Sequence, residues 1–220
     1  MNQEKQITDS LAHEFALYMQ QYSKLYQDFA QNITSYVKTS QKITIVEIGS
    51  GPGLLIKELL ELIPKCSIIG IEPNQAMIQE AIQVLQPYYS RRYMILEKSI
   101  EHTSLSDESV EAVVSRFSVY AWKHPKQIMK ELHRILKPGG IIIFEMLNKE
   151  FPQWKRQFVK LNMRRKCAKP EVIEYHIRSF STAYTHQQIR DMLAQHGFQK
   201  IFVDGGKNAW KFQVHAYKPA

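Results

Sequence analysis

Apolar residues recur along the chain with two different periods. From about Ile7 to Val37 they follow helical spacing with no intervening Pro or Gly, which predicts one or two amphipathic helices. Beyond residue 40, short β-branched runs alternate with helical patterns. Strands are predicted at 43–48, 67–71, 93–96, 110–115 and 141–144, and helices at 54–63, 74–85 and 125–136. This alternation predicts a parallel sheet, because parallel neighbours need a crossover connection.

The last third of the chain follows a different order. Lys137-Pro138-Gly139-Gly140 is predicted to turn into the fifth strand, and a helix is predicted over 185–195, ending before Gly197. Two strands, at 200–204 and 210–217, flank a short connection that contains Gly205 and Gly206. A connection of this kind is typical of a hairpin, so at least one of these strands is predicted to be antiparallel to its neighbour.

Length and composition bound the class of protein. A chain of 220 residues with 44% hydrophobic and 23% charged residues is typical of one soluble globular domain. No apolar run approaches the roughly 18–20 residues that a membrane-spanning helix needs. Met1 to Thr8 is polar and unlike a secretory signal. Cys66 and Cys167 are far apart, which favours reduced thiols in a cytoplasmic protein without a metal site.

Positive charge is concentrated in one segment. The formal net charge is +8, and residues 149–178 hold nine Lys or Arg against three Glu, which is +6 for that segment. Charge of this size favours an anionic partner. The segment could recognise a phosphorylated or carboxylated metabolite, or bind RNA with Trp154 and Phe158 as stacking surfaces. It could equally be a solvated amphipathic helix.

Glu47 to Gly53 forms a glycine-rich turn between a predicted strand and a predicted helix. The glycines are spaced Gly-x-Gly-x-Gly, one residue shorter than the dinucleotide fingerprint, and Glu47 stands where dinucleotide sites have an apolar residue. An acid there favours a ligand with positive charge. Glu72 ends the next strand, 19 residues past Gly53, at the offset from which an acid accepts hydrogen bonds from ribose hydroxyls. The alternative role for Glu72 is to cap the following helix.

Four segments, in this order, resemble the motifs of class I S-adenosylmethionine-dependent methyltransferases. They are 46–53, 70–74, 106–114 and 132–140. The resemblance is strongest to the small ubiquinone/menaquinone-biosynthesis-like (methyltransferase type 11) branch and covers roughly residues 40 to 147. It implies a doubly wound, Rossmann-like sheet of seven strands, mostly parallel with the last antiparallel, and an N-terminal helical lid.

The resemblance also divides the chain, as one domain over 1–220. Residues 1–40 would form the N-terminal helices, 41–147 the cofactor-binding core, 148–184 a basic acceptor-side insertion, and 185–220 the closing helix and hairpin. The methionine part of S-adenosylmethionine would meet Glu47, Gly49 and Gly51. The ribose would meet Glu72, and the adenine would meet residues 98–101. Ser99 departs from the family pattern, which usually has an Asp there.

The predicted reaction is in-line methyl transfer to a small-molecule acceptor, with S-adenosylhomocysteine as the other product. His176 is the preferred candidate base, with Glu145 and His124 as alternatives. The predicted cofactor contacts are Glu47, Gly49, Ser50, Gly51, Gly53, Glu72, Pro73, Met77, Ser99, Ile100, Glu101, Ser115, Arg116, Phe117 and Tyr22. Arg116 could instead bind an anionic substrate or form a surface ion pair.

Aromatic residues could complete the site. Tyr18, Tyr22 and Tyr26 follow helical spacing and could cover the cofactor or belong to the core. Phe117, Tyr120 and Trp122 follow the fourth strand and could line the active site. Three other functions remain open: an RNA or protein methyltransferase, a non-catalytic cofactor-binding or RNA-associated module, and a dehydrogenase. The glycine spacing and Glu47 disfavour the dehydrogenase. The sequence does not indicate an oligomeric state.

Overall fold

A seven-stranded sheet runs through the protein in the order β3-β2-β1-β4-β5-β7-β6. The computed structural model describes residues 9–88, 92–166 and 168–220. The strands are β1 Ile43–Ile48, β2 Cys66–Ile71, β3 Tyr93–Leu96, β4 Val110–Arg116, β5 Leu136–Leu147, β6 Gln199–Asp204 and β7 Lys211–Tyr217. Strands β1 to β5 are mutually parallel, whereas β7 pairs antiparallel with both β5 and β6. The predicted architecture, including the antiparallel last strand, is confirmed.

Eight helices cover the two faces of this sheet within the described residues. They are α1 Asp9–Gln20, α2 Ser23–Thr34, α3 Leu54–Leu62, α4 Gln75–Leu85, α5 Pro125–Ile135, α6 Gln153–Arg165, α7 Pro170–Thr182 and α8 His186–Gln195. A first core cluster packs α1 to α4 and α7 against one face, for example at Ile45. A second cluster packs α5 and α8 against the other face, for example at Val46. Consecutive residues of β1 are therefore both buried, as in a sheet covered on both sides.

The N-terminal segment forms two helices because the chain turns at residues 21–22. Helix α1 packs on α4 and α7, and α2 packs on α3. Tyr26 on α2 reaches the carboxyl end of β4, where it contacts Arg116. Tyr26 thus reaches the end of the sheet at which open α/β folds bind ligands, and the lid role of the N-terminal helices stays a prediction. The beginning of the helical pattern at Ile7, the polar segment 1–8 and Cys167 lie outside the described residues.

The predicted turn at 137–140 is wrong in one respect, because the chain does not leave the sheet there. Strand β5 already begins at Leu136, which pairs with Val110, while Ile141 pairs with Ala112 two residues further along β4. The intervening residues form a bulge. The Gly139 N–H holds the bulge to the end of the chain by donating to the carbonyls of Lys218 and Pro219, at 3.1 and 3.3 Å.

The basic insertion contains two helices, α6 and α7. Helix α7 begins at Pro170, at a position where proline costs no helical hydrogen bond. It packs against α1 and against a short 3₁₀ turn at Val119–Ala121 that follows β4. The insertion thus covers the carboxyl end of the sheet. Across the described ranges, every helix is too short or too polar to cross a bilayer.

Candidate active site

The glycine-rich turn is fixed at one end and open at the other. The N–H groups of Gly49 and Ser50 both donate to the Ile71 carbonyl, at 2.8 and 3.3 Å. Gly49 has a φ of +65°, and a Cβ there would lie 2.5 Å from the Ser118 Cβ. Gly51 has a φ of +50°, but no described atom lies within 4 Å of the place its Cβ would take. The loop therefore packs tightly at Gly49 and leaves space beside Gly51 for a ligand to reach the main chain.

Gly49→Ala is expected to destabilise the protein by about 1–3 kcal/mol, because an alanine with positive φ is strained. The contact with Ser118 would add to this cost. Urea unfolding of the two proteins measures the difference. Gly206→Ala is the matched control, since its Cβ would meet no described atom within 4 Å. Equal midpoints for Gly49→Ala and the parent would contradict this account of the turn.

Glu72 supports the glycine-rich turn from the end of β2. Its Oε2 accepts from the Gly51 N–H at 2.9 Å and its Oε1 from the Asn74 N–H at 3.0 Å. Burial, above all, raises the pKa of this carboxyl. Each carboxylate oxygen keeps a second lone pair for a ligand hydroxyl. Glu72 thus orders the start of α4 and still has the capacity that the ribose role requires.

The other predicted cofactor contacts near Glu72 and on the adenine side differ in their surroundings. Pro73 is exposed, while Met77 is buried and its N–H donates to the Asn74 Oδ1 at 2.9 Å, which caps α4. On the predicted adenine side, Ile100 is buried and opens a 3₁₀ turn over Ile100–His102. The Ser99 hydroxyl donates to the Glu101 carboxylate. Ser99 is thus directed to a neighbour in the chain, where the family has an acid.

Glu47, Arg116 and Glu145 form a buried polar row across β1, β4 and β5. Each lies two positions beyond a residue of the first core cluster, so their side chains leave the same face of the sheet. The Arg116 Nε donates to the Glu145 Oε1 at 2.8 Å, and the two side chains are 2% and 0% exposed. The Glu145 Oε2 accepts from the Gln213 Nε2 at 3.0 Å and from Lys211. The alternative of a surface ion pair for Arg116 is therefore wrong, because the pair is buried.

The Arg116 guanidinium lies in a slot between two aromatic rings. Its Cζ is 4.1 Å from the centre of the Tyr26 ring and 4.3 Å from that of Phe117. Phe117 holds its place with a φ of +52°, a backbone conformation rare for such a bulky residue. Within the described residues, Nη1 and Nη2 have no hydrogen-bond partner. Two parallel N–H donors of this kind suit a carboxylate or phosphate, which they bind in bidentate fashion.

Glu47 is the acidic residue that complements the Arg116 guanidinium. Its side chain is buried, and among the described residues its Oε2 and the Ser50 Oγ have no hydrogen-bond partner. Burial raises the pKa of Glu47 well above its usual value, and the nearby charge of Glu72 raises it further. A cationic ligand would satisfy this carboxylate. Glu47 and Arg116 together thus offer an acceptor for an ammonium group beside a donor pair for a carboxylate.

Comparison with known proteins agrees with this geometry. A family model described as "Methyltransferase domain" matches residues 46–144, which include β1, the glycine-rich turn, Glu72 and Arg116. The matched segment is a little under half of the chain, so it is residues 46–144 that are similar to the class I methyltransferases. S-adenosylmethionine is the cofactor of this family, and the unpartnered atoms of Glu47, Ser50 and Arg116 fit its amino-acid end.

A curated relative resembles this chain in sequence, and solved structures share its fold. A malonyl-acyl-carrier-protein O-methyltransferase from a Marinomonas strain is 27% identical over 143 residues, or 63% of this chain and 52% of the relative. The chain thus spans about half the length of that relative. A Methanococcus maripaludis protein described as a putative S-adenosylmethionine-dependent methyltransferase shares the fold, with a TM-score of 0.77, 21% identity, and coverage of 100% of this chain and 97% of that one.

A second structure with this fold was solved with a ligand. It is a Haemonchus contortus N-methyltransferase in complex with phosphomonomethylethanolamine and S-adenosylhomocysteine. Its TM-score is 0.69 at 13% identity, with coverage of 98% of this chain and 58% of that one.

The structure separates the three candidate bases. His176 on α7 is half-buried, with its ring centre 5.6 Å from that of Phe180. Burial, and then the charge of Arg116, lowers its pKa to about 4, so its ring is neutral at physiological pH but is a weak base in the free protein. Glu145 uses both oxygens for Arg116, Lys211 and Gln213. His124 is exposed, and its backbone carbonyl accepts from the Ile128 N–H at the start of α5.

The N-terminal tyrosines have different surroundings. The Tyr22 hydroxyl hydrogen-bonds the Tyr18 hydroxyl at 2.7 Å and accepts from the Asn162 Nδ2 at 3.4 Å. The Lys166 Nζ lies 4.2 Å from the centre of the Tyr22 ring, so Tyr22 faces the end of α6. Tyr26 is the tyrosine that contacts Arg116.

The aromatic residues after β4 also separate. Phe117 and Tyr120 line a small cavity with Val119, Met146, Leu147 and Ala183. The Tyr120 hydroxyl donates to the Tyr175 hydroxyl at 3.1 Å. Trp122 instead packs on Phe144, within the second core cluster. The sequence-based set after β4 therefore divides into two residues beside the cavity and one in the core.

Some residues that shape the site have no motif to reveal them. Lys211 and Gln213 reach Glu145 from β7, which is far away in sequence. Ser118 donates to the Ile48 carbonyl at 3.0 Å and packs under Gly49. Ser115, which was predicted as a cofactor contact, is fully buried and donates to the same carbonyl at 3.1 Å. Polar residues that alternate with apolar ones in β7 are the one signal for Lys211 and Gln213, because Glu145 pairs directly with Gln213.

Proposed function

We propose that this domain transfers the methyl group of S-adenosylmethionine to a small-molecule acceptor. The main support is the buried pair of Glu47 and Arg116. The unpartnered oxygen of Glu47 can meet the ammonium of an amino-acid zwitterion, and the unpartnered nitrogens of Arg116 can meet its carboxylate. In this proposal Glu47 accepts from the ammonium of the methionine part, and the Arg116 Nη1 and Nη2 donate to its carboxylate. Glu72 holds the ribose hydroxyls, and the Ile100–Glu101 segment meets the adenine.

The bound cofactor supplies a methyl group that is already activated on a sulfonium. The task of the chain is therefore to orient the acceptor and exclude water. Phe117 and Tyr120 are partly exposed after the end of β4 and pack on the cluster of Leu147 and Phe180, so we place the acceptor against these two rings. The neutral ring of His176, next to Phe180, is the group that takes a proton from the acceptor when one must leave. Glu145 has no free oxygen, so we propose that it positions Arg116.

We further propose a cytoplasmic location for this reaction. The support is that Cys66 is a free thiol, as is usual for cysteines in reducing compartments. The acceptor named for the Marinomonas relative, a malonyl thioester of a carrier protein, gives a first compound class to screen. Carboxylated and phosphorylated small molecules form the second class.

Isothermal titration with S-adenosylmethionine and, separately, with S-adenosylhomocysteine tests this proposal. Micromolar binding of both, followed by turnover in the acceptor screen, is the expected result. Absence of binding by folded protein would overturn the proposal. Binding of a nicotinamide dinucleotide in place of either compound would turn the assignment to hydride transfer.

Cofactor binding is expected to release a proton from Glu47. Its pKa is raised in the free protein, and an adjacent ammonium would lower it, so the carboxyl ionises as the ligand binds. Affinity should therefore rise as pH rises toward the pKa of the free protein and level off above it. Titrations in buffers of different ionisation enthalpy measure the released proton. Glu47→Gln should bind more weakly and release none; unchanged proton release in that variant would contradict the assignment.

A further inference from the structure

Helix α6 carries an apolar stripe that no other described part of the chain covers. Its residues, Trp154, Phe158 and Leu161, are 65%, 64% and 45% exposed. Spacings of four and three residues place them on one face of the helix, over a length of about 10 Å. The rings of Trp154 and Phe158 touch edge to face, with their centres 6.2 Å apart. The stripe (these three residues) is thus an ordered, exposed apolar ridge.

Cations surround this stripe. Helix α6 holds five Lys or Arg and no Asp or Glu. By helical rotation Lys155 lies beside one edge of the stripe and Arg164 beside the other, while Arg165 lies in line with the stripe one turn beyond Leu161. The Lys155 Nζ is 5.4 Å from the centre of the Trp154 ring. This arrangement is that of a helix with Trp, Phe and Leu on one side and Lys or Arg beside them, which lies in the plane of a membrane interface.

A groove beside the stripe adds a second observation. It has a volume of about 510 Å³ between α6 and α7. Three cations and one acid line it, together with apolar residues that include Ile173 and Ile177; the charged residues are Lys160, Arg164, Arg178 and Glu174. An apolar lining with a net positive charge, three cations against one acid, suits a molecule that has both an acyl chain and an anionic head group.

We propose that α6 docks this domain on an anionic lipid surface. The stripe enters the boundary between head groups and acyl chains, and the flanking cations meet lipid phosphates. A second copy of the chain fits less well, because two such helices would bring ten cations together with no acid of α6 between them. Single-stranded RNA also fits less well. Stacking needs free ring faces, whereas Lys155 lies over the Trp154 ring, and Leu161 offers no ring.

Vesicle co-sedimentation of the full chain tests this proposal. The vesicles are phosphatidylcholine alone, or phosphatidylcholine with roughly 30% phosphatidylglycerol to provide a negative surface potential. Binding is expected to the mixed vesicles, to weaken with salt, and to be at least tenfold weaker to the neutral vesicles. Equal binding to both vesicles, or none to either, would overturn the proposal.

Matched variants distinguish the contribution of the stripe to vesicle binding from that of any exposed apolar or cationic side chain. Trp154→Gln with Phe158→Gln should reduce vesicle binding at least tenfold, whereas Ile82→Gln, which removes an apolar residue 53% exposed on α4, should not. Lys155→Gln with Arg164→Gln should cost about fivefold per charge, and Lys126→Gln with Lys130→Gln on α5 removes the same charge as a control. Equal losses in both charge pairs would overturn the docking role of α6. So would tighter binding of a uridine oligonucleotide that the stripe variant also abolishes.

Discussion

Arg116→Lys is expected to weaken S-adenosylhomocysteine binding by about 2–5 kcal/mol, roughly 30-fold or more. The lysine keeps the positive charge, but an ammonium cannot reproduce the flat fork that lies between Tyr26 and Phe117. The loss follows from the two terminal nitrogens, which are buried and have no hydrogen-bond partner among the described residues. Isothermal titration of the parent and the variant measures it.

A ligand without the amino-acid part provides the control for this prediction. Methylthioadenosine has neither the ammonium nor the carboxylate, so its affinity should be the same for the parent and Arg116→Lys. Equal weakening of both ligands would mean that the substitution disturbs the whole site. Unchanged affinity for S-adenosylhomocysteine would remove Arg116 from the cofactor site and leave an anionic acceptor as its ligand.

Glu72→Ala is expected to weaken cofactor binding by about 3 kcal/mol or more, because two hydrogen bonds to a charged group contribute on the order of 1.5–3 kcal/mol each. The variant also loses the carboxylate that accepts from Gly51 and Asn74. His176→Ala should change cofactor affinity less than threefold and lower turnover by about 10²–10⁴, the range for a lost acid–base group. Titration measures the first effect, and product formation in the acceptor screen measures the second.

Glu72→Gln controls for the shape of the side chain, since it keeps the acceptor oxygen for one of the two N–H groups. Intermediate affinity in this variant would assign the remaining loss to charge. Equal effects of Glu72→Ala and His176→Ala on cofactor affinity would mean that the division between cofactor and acceptor residues is wrong.

The architecture could be predicted from the sequence because its signals are local. The β-branched run at 43–48 and the helix at 54–62 are separated by glycines, and the spacing of apolar residues within each element indicates its type. The bulge at 137–140 was predicted as a turn because the partner that holds it, the end of the chain near Lys218, is about 80 residues away. The division of the N-terminal pattern at residues 21–22 has no Pro or Gly to mark it.

The site was predictable only as far as motifs reach. Glu47 and Glu72 follow from their distance to the glycines, and the structure places both at the turn. Arg116 was predicted as a cofactor contact. Its burial could not be predicted, because the slot depends on Tyr26 of α2, which is far away in sequence. Glu145 was predicted as a possible base from its place at the end of β5. Its saturation by Lys211 and Gln213 depends on the pairing of β7, which no local pattern gives.

The contact between Glu145 and β7 has a consequence for electroneutrality. In the free protein the row holds the charges of Arg116, Lys211 and Glu145, and the raised pKa of Glu47 favours its neutral form. That row carries one surplus positive charge. Ionisation of Glu47 beside an incoming zwitterion would cancel the surplus. Lys211 of β7, which we place outside the ligand contacts, would thus supply the positive charge that ionised Glu47 neutralises when the ligand binds.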